Sequence, residues 1–373
     1  MALMIYGGAN YYIYRRVVGT AHFGGGLGTA LKVGLLFCIL AYPLSRFSFA
    51  IRPVSVPLTW IGGFWLAAMA WAVLALVVID FVRLSDLLFG WFPNWLTGNR
   101  VLAGQRLLVG GIVLMILALT AGRIIAANPV VRNLELSIEQ LPKEKDGYRV
   151  VLFCDTHLGT LKGLGFLNRV VEMVNSQNAD LVLIPGDVFD ESPRRIPWAI
   201  EPLSRLKAKD AVVVSMGNHE YYAGPAESIK VFREAGLTFL RDQAIEIPGT
   251  AVVAGMDDIT GSRQYGEKLV PLRSYIEGFD PNLPLIVLHH TPVRREEARE
   301  AGADLMVSGH THGGQQWPFE YITRMVFGVK RGLTKFGEMN FFLTVGVGTW
   351  GPPIRLGATP EIIVFTLRND RYQ

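Results

Sequence analysis

Apolar positions fall along this chain in two rhythms. Before about residue 130 they run together. Pro53 to Ile79 carries no charge and is rich in Trp, Leu, Ala and Val, and Leu107 to Gly122 is an uncharged run closed by Arg106 and Arg123. A bilayer core takes about 20 apolar residues of helix, and flanking arginines can snorkel to the headgroups. A weaker run, Thr29 to Phe49, holds Lys32 and Arg46 near its ends and Pro43 inside. Three such runs in succession are hard to cover with protein, so the pattern predicts about three transmembrane helices rather than a buried helical hairpin. Residues 1–25 do not read as a signal peptide, because Arg15 and Arg16 follow the short apolar part instead of preceding it. With Tyr11, Tyr12 and Tyr14 beside them, they predict a short interfacial segment. Residues 1–130 are thus expected to form an all-α membrane region.

Residues 131–373 follow the second rhythm. Leu134 to Glu139 alternates like an edge strand. Short apolar runs then end in polar clusters. Arg149 to Cys154 leads into Asp155 and His157, and Asp180 to Pro185 into Gly186 and Asp187. Ala211 to Met216 leads into Asn218 and His219, Leu285 to Leu288 into His289 and His290, and Asp304 to Ser308 into His310 and His312. Amphipathic helices are expected between them at 164–178, 197–208 and 226–235. Strands alternating with helices indicate an α/β domain, and in such sheets ligands gather at the carboxyl ends of strands.

Composition sharpens this picture. Half of the 373 residues are apolar, the mean hydropathy is +0.29 and the net charge is +4. With no Lys/Arg run and no recognition motif, no nucleic-acid partner is expected. Cys38 and Cys154 lie in different halves and are not expected to pair. With spans at 33–51, 58–82 and 107–127, one side carries Arg15, Arg16, Lys32, Arg83, Arg100 and Arg106. The other carries Arg52, Arg132, Lys143 and Lys145. Six against four leans toward the first set being cytoplasmic, which would put the C-terminal domain of a multi-pass membrane protein outside the cytoplasm.

Of seven histidines, only His22 lies outside the second region. A single histidine is more often a packing residue than a ligand. Six clustered at strand ends beside Asp155, Asp187 and Asn218 point instead to metal. Imidazoles and carboxylates without a thiolate cluster suit Mn, Fe or Zn. In an extended chain, Asp155 and His157 face the same way, as do His310 and His312.

Asp-x-His at 155–157, Gly-Asp-x-x-Asp at 186–190, Gly-Asn-His-Glu at 217–220, a lone His and Gly-His-x-His at 309–312 stand here in that order. Over roughly residues 148–368 this series resembles the calcineurin-like metallophosphoesterase superfamily. Gly346 to Arg355, with the pair Gly314-Gln315, further resembles its bacterial membrane-associated branch, in which a multi-span region precedes the enzyme. The resemblance implies a four-layer α/β/β/α sandwich holding two divalent metal ions. Asp155, His157 and His312 would bind the first, Asn218, His290 and His310 the second, and Asp187 would bridge them. His290 is preferred to His289 because the family ligand usually stands two residues before a proline, here Pro292. A hydroxide bridging the metals would attack phosphorus. His219 would act as general acid or charge stabiliser, oriented by Asp190, whose plain alternative is a loop or capping role. Arg355 would contact the substrate phosphate or form a structural ion pair.

Phosphoprotein-directed members usually carry an arginine after the second Asp of the Gly-Asp block. Glu191 stands there, which favours a small-molecule or lipid phosphate as substrate and the bilayer as partner. The alternative is a catalytically inactive metal-binding module for sensing or docking. A transporter reading is weak, because Lys32, Arg46, Asp80 and Arg123 are expected toward span ends.

Overall fold

The structure, a computed structural model, describes residues 2–21, 25–47, 51–92 and 100–369. His22 lies outside them. The chain divides into two compact units, residues 1–124 with 351–354, and residues 125–350 with 355–373.

The first unit is helical: α1 (Ala2–Ala21), α2 (Gly25–Phe47), α3 (Arg52–Phe89) and α4 (Arg100–Ala127). Three helices, Gly25–Phe47, Arg52–Phe89 and Val101–Ala127, are long and apolar enough to cross a membrane. Helix α3 runs about ten residues past the expected span. At 1.5 Å per residue its 38 residues exceed a bilayer core of about 30 Å. Its seam with α2 is made of small residues. A Cβ on Gly62 would lie 2.6 Å from the Tyr42 Cα, so only glycine permits that approach. Helix α1 is longer than a short interfacial segment and is hydrogen-bonded to its neighbours. The Trp65 Nε1 donates to Asn10 Oδ1 at 2.9 Å, and the Tyr6 hydroxyl donates to the Ile39 carbonyl at 2.6 Å. Asp80, expected near a span end, lies inside α3. It pairs with Arg16 and accepts from the Tyr12 hydroxyl at 2.6 Å.

The second unit is an α/β/β/α sandwich of two six-stranded sheets. One has the order β1 (Val130–Ser137), β12 (Glu361–Arg368), β2 (Arg149–Leu152), β3 (Leu181–Ile184), β4 (Ala211–Ser215), β5 (Thr238–Leu240). The other has β10 (Gly332–Phe336), β11 (Met339–Leu343), β9 (Leu305–Ser308), β8 (Leu285–Leu288), β7 (Ala251–Gly255), β6 (Gln243–Ile247). The expected edge strand is β1, paired in parallel with β12.

The layers follow from period-two side-chain placement. Val150, Leu152, Leu181 and Leu183 meet Ile286, Leu288, Leu305 and Val307 between the sheets. Val151, Val182 and Ile184 face the other way, against Leu167, Val170 and Val174 of α5 (Leu164–Asn175). Val287 and Met306 pack outward with Ala298. Both faces are covered, so these strands read as unbroken apolar runs. The other two expected helices are a short one, α6 (Ile200–Ser204), and α8 (Pro225–Glu234), with α7 (Asn218–Ala223) before it, and the short helices α9 (Ile259–Tyr265), α10 (Arg273–Ile276) and α11 (Arg295–Glu300) follow.

Candidate metal centre

Strands β2, β3, β4, β8 and β9 each end in a loop that delivers one part of a buried cluster. Asp155, His157 and His312 bring ligand atoms within 4.8 Å of one another, as do Asp187, His290 and His310. The His157 and His312 Nε2 atoms are 2.9 Å apart, and the His312 Nε2 is 3.4 Å from Asp155 Oδ1. The His290 Nε2 is 2.9 Å from Asp187 Oδ2, while its Nδ1 meets the Pro185 carbonyl at 2.8 Å. Asn218 joins the second group through its Oδ1, 2.7 Å from the His310 Nδ1. His157 Nε2 lies 3.8 Å from Asp155 and 3.7 Å from Asp187, so Asp187 has ligand atoms of both groups beside it, and Asp155 in turn lies 3.9 Å from the His290 Nε2. All seven expected ligands are brought together.

The convergence has a different cause from the alternation expected of extended chain. Asp155, His157, Asp187, His310 and His312 all have positive φ, between 48° and 72°. Side chains other than glycine seldom adopt this region, and its use clusters at functional sites. The loops turn left-handed at the ligands themselves, and neighbouring glycines leave the room. A Cβ on Gly217 would lie 2.2 Å from Asp187 Oδ1, and one on Gly309 would lie 2.3 Å from Asp155 Oδ2.

The donor set fits divalent metal. Carboxylate oxygens and imidazole nitrogens face each other in a buried space, with the His290 Nε2 turned toward both Asp187 and Asp155. Such a group persists only with cations or protons inside it. Burial alone would lower the His157 pKa. Hydrogen bonds to Asp155 and Asp190 and the charge of Asp187 instead push it up to about 10. His290 also reaches about 10: burial opposes the shift, but Asp187 and then Asp155 drive it. Burial raises the carboxylates Asp155 and Asp187, yet the surrounding histidines hold both below the usual range. His310 and His312 are held low, chiefly by burial.

His290, not His289, faces the cluster. His289 is fully buried behind it with neither ring nitrogen hydrogen-bonded. Burial pushes its pKa down to about 4, so it packs as a neutral ring. The His219 Nδ1 is 2.9 Å from Asp190 Oδ1, and that same oxygen is 3.4 Å from the His157 Nδ1. Asp190 thus lies against two histidines, and its close contact is with His219.

Arg355 is not where a substrate contact requires it. It is fully buried. Its donors are taken up by the carbonyls of Gly348, His312 and Val345, and one Nη meets the His312 Nδ1 at 2.7 Å. It braces His312 from behind. Glu191 is also occupied, accepting from the Thr160 amide at 2.7 Å and from the Thr160 hydroxyl.

One residue escaped the sequence reading. Glu220 is fully buried, and its carboxylate accepts from the amides of Asp187, Val188, Phe189 and Gly217 at 2.7–3.1 Å. It fastens the Asp187 loop to the Asn218 loop. Its signal was its place after Asn218-His219, at the third position of α7, where a carboxylate commonly reaches back to the helix start.

A family model described as calcineurin-like phosphoesterase matches residues 148–314. A protein of Aquifex aeolicus described as an uncharacterized metallophosphoesterase is 30% identical over 240 residues, covering 64% of this chain and 91% of that one. One of Campylobacter jejuni with a like description is 28% identical over 388 residues, covering 100% and 98%. A Danio rerio protein described as a transmembrane protein with metallophosphoesterase domain is 31% identical, covering 65% and 58%. The chain thus spans less than two thirds of the Danio relative, and 64% of a Helicobacter pylori one.

Proposed function

The chain belongs to the calcineurin-like metallophosphoesterase family, and on that premise we propose that it is a membrane-anchored hydrolase of a phosphate ester. The observation that carries this reading is the shared carboxylate: Asp187 lies between two groups of buried ligand atoms, with His219 and its orienting Asp190 beside them. Asp155, His157 and His312 would hold one divalent ion, and Asn218, His290 and His310 the other, with Asp187 common to both. Mn, Fe or Zn suits this set. Ions bound there would supply an activated water and neutralise charge on the phosphoryl oxygens.

The chain's own residues do the rest. Glu220 fixes the backbone that carries Asp187, and Arg355 fixes the ring of His312. Asp190 would orient His219 through Nδ1, so that the ring in its imidazolium form gives its Nε2 proton to the departing ester oxygen and is left neutral. The buried walls exclude bulk water from the ligands and keep these electrostatic effects strong. The substrate is a small-molecule or lipid phosphate. Six basic residues against four favour the extracytoplasmic side for the catalytic unit.

The test is hydrolysis of an aryl phosphate ester by the full chain with added Mn²⁺. Asp187→Asn, which removes the shared charge, lowers turnover by more than about 100-fold, since groups merely behind a ligand already cost 10–100-fold. A wild-type chain that cleaves neither aryl nor lipid phosphates, indistinguishable from Asp187→Asn in every assay, refutes the proposal.

A further inference from the structure

The helix that follows the last candidate ligand turns an apolar face outward. In α12 (Glu320–Phe327) no residue is buried. Tyr321, Ile322 and Val326 are exposed, Met325 is 84% exposed, and Trp317, in the turn before the helix, is 63% exposed. Positions 322, 325 and 326 stand at the spacing of one helical face, with 321 beside them. Elsewhere in this unit most Val, Leu and Ile side chains of the sheets are buried, and exposed ones such as Val130 and Leu333 are 38% and 41% exposed. An exposed cluster of this kind marks an interaction surface.

This surface is fastened to the metal cluster. The Phe327 ring lies edge-on to His310, with centroids 5.5 Å apart. A Cβ on Gly314 would lie 2.4 Å from the Phe319 carbonyl carbon, so the ligand loop and the start of the helix are in direct contact. The composition says what covers it. Trp and Tyr beside aliphatic side chains, with exposed Arg324 and Lys330 at the flank, is the make-up of a helix lying in a lipid headgroup layer. The chain's own membrane-crossing helices make a bilayer the apolar phase always within reach.

We propose that α12 and Trp317 seat on the lipid surface, and that the site beside them draws its substrate, a phosphate-bearing lipid, from that surface. The second half of this proposal rests on the phosphoesterase reading; the first does not.

The full chain, with Cys38 replaced by alanine, is reconstituted in vesicles of phosphatidylcholine and phosphatidylglycerol. An environment-sensitive fluorophore is placed at Met325→Cys or, as control, at Lys207→Cys, an exposed residue in the loop entering β4 at the other end of the sheet. Spin-labelled lipids are expected to quench the label at 325 and spare that at 207. A label at 325 open to aqueous iodide, one shielded from iodide and lipid alike (a protein cover), or equal lipid quenching at both positions overturns the docking. The variant Ile322→Asp/Met325→Asp should lower hydrolysis of phosphatidic acid in vesicles by about tenfold or more, through lost local substrate concentration, and leave hydrolysis of a soluble aryl phosphate unchanged. Equal loss on both, or on neither, overturns the lipid-substrate assignment. A wild type that cleaves nothing refutes the phosphoesterase reading, while the quenching still decides the docking.

Discussion

The two units use the same residue types in opposite senses. In the sheets Val151, Val182, Ile286 and Val307 are fully buried, whereas in the helices Val78 is 61% and Leu114 is 68% exposed. Polar groups reverse with them. Asn10, Ser45 and Ser55 are buried in the helical unit alongside Gly62, Gly63, Ala67 and Ala68. Without a hydrophobic driving force between helices in lipid, contact is made by small residues and hydrogen bonds, and large apolar side chains serve as the surface. An apolar run therefore has no meaning until its solvent is known. Within the α/β unit, α12 follows the helical unit's rule.

The sharpest way to test the contrast is to change one polar atom in each unit. In the α/β unit, His219→Ala removes the proposed proton donor. It is expected to lower kcat for a poor leaving group by about 10²–10⁴-fold, with metal content unchanged. Asp190→Asn follows in the same direction by a smaller factor. Wild-type kcat for His219→Ala would remove the acid role and leave the metal ligands untouched.

The helical unit should tolerate size and reject charge. Leu114→Arg places a guanidinium near the middle of α4 and costs about 2.5–3.5 kcal/mol of insertion free energy, whereas Leu114→Ala changes little because the side chain leaves no protein cavity. Protease protection or glycosylation mapping of the flanking segments reads the fraction that spans. Equal insertion of both variants would mean that α4 does not face lipid.

Much of the α/β unit was legible because its strands end where its chemistry starts. Runs such as Leu285 to Leu288 and Leu305 to Ser308 announce both a buried strand and the ligands that follow it. What stayed hidden depends on distant pairing or on backbone shape. Nothing local shows that Asp155 turns left-handed, because the residues that make room for it, Gly309 and Gly346, belong to other loops. Arg355 read as a substrate contact because arginine suits phosphate. Its burial follows from loop Gly346–Arg355 folding over His312, 43 residues away in sequence.

Arg355 offers a finer test. If it braces His312, Arg355→Lys loses the fork that reaches both the ring and the carbonyls, and metal affinity falls by about 10–100-fold with KM at saturating metal unchanged. If it touched substrate, KM would rise and metal affinity would hold. Titration with Mn²⁺ alongside steady-state kinetics separates the two.

The smallest effect concerns protons. Metal ligation needs neutral imidazole. In the metal-free cluster, His157 and His290 titrate near 10 and are protonated at neutral pH. Asp155 and Asp187 are held low and His310 and His312 are already neutral, so none of these four has a proton to give up at pH 7. Metal binding at neutral pH should therefore release about two protons. Because both pKa values are raised, release is complete below them and declines as pH passes through 10, and metal affinity climbs with pH up to the same point. Calorimetric titration in two buffers of different ionisation enthalpy counts the protons directly. Binding without release would mean that Asp187 does not hold charge against His290, and the pairing that separates the inward-facing chemistry of this unit from the outward-facing helices would have to be drawn again.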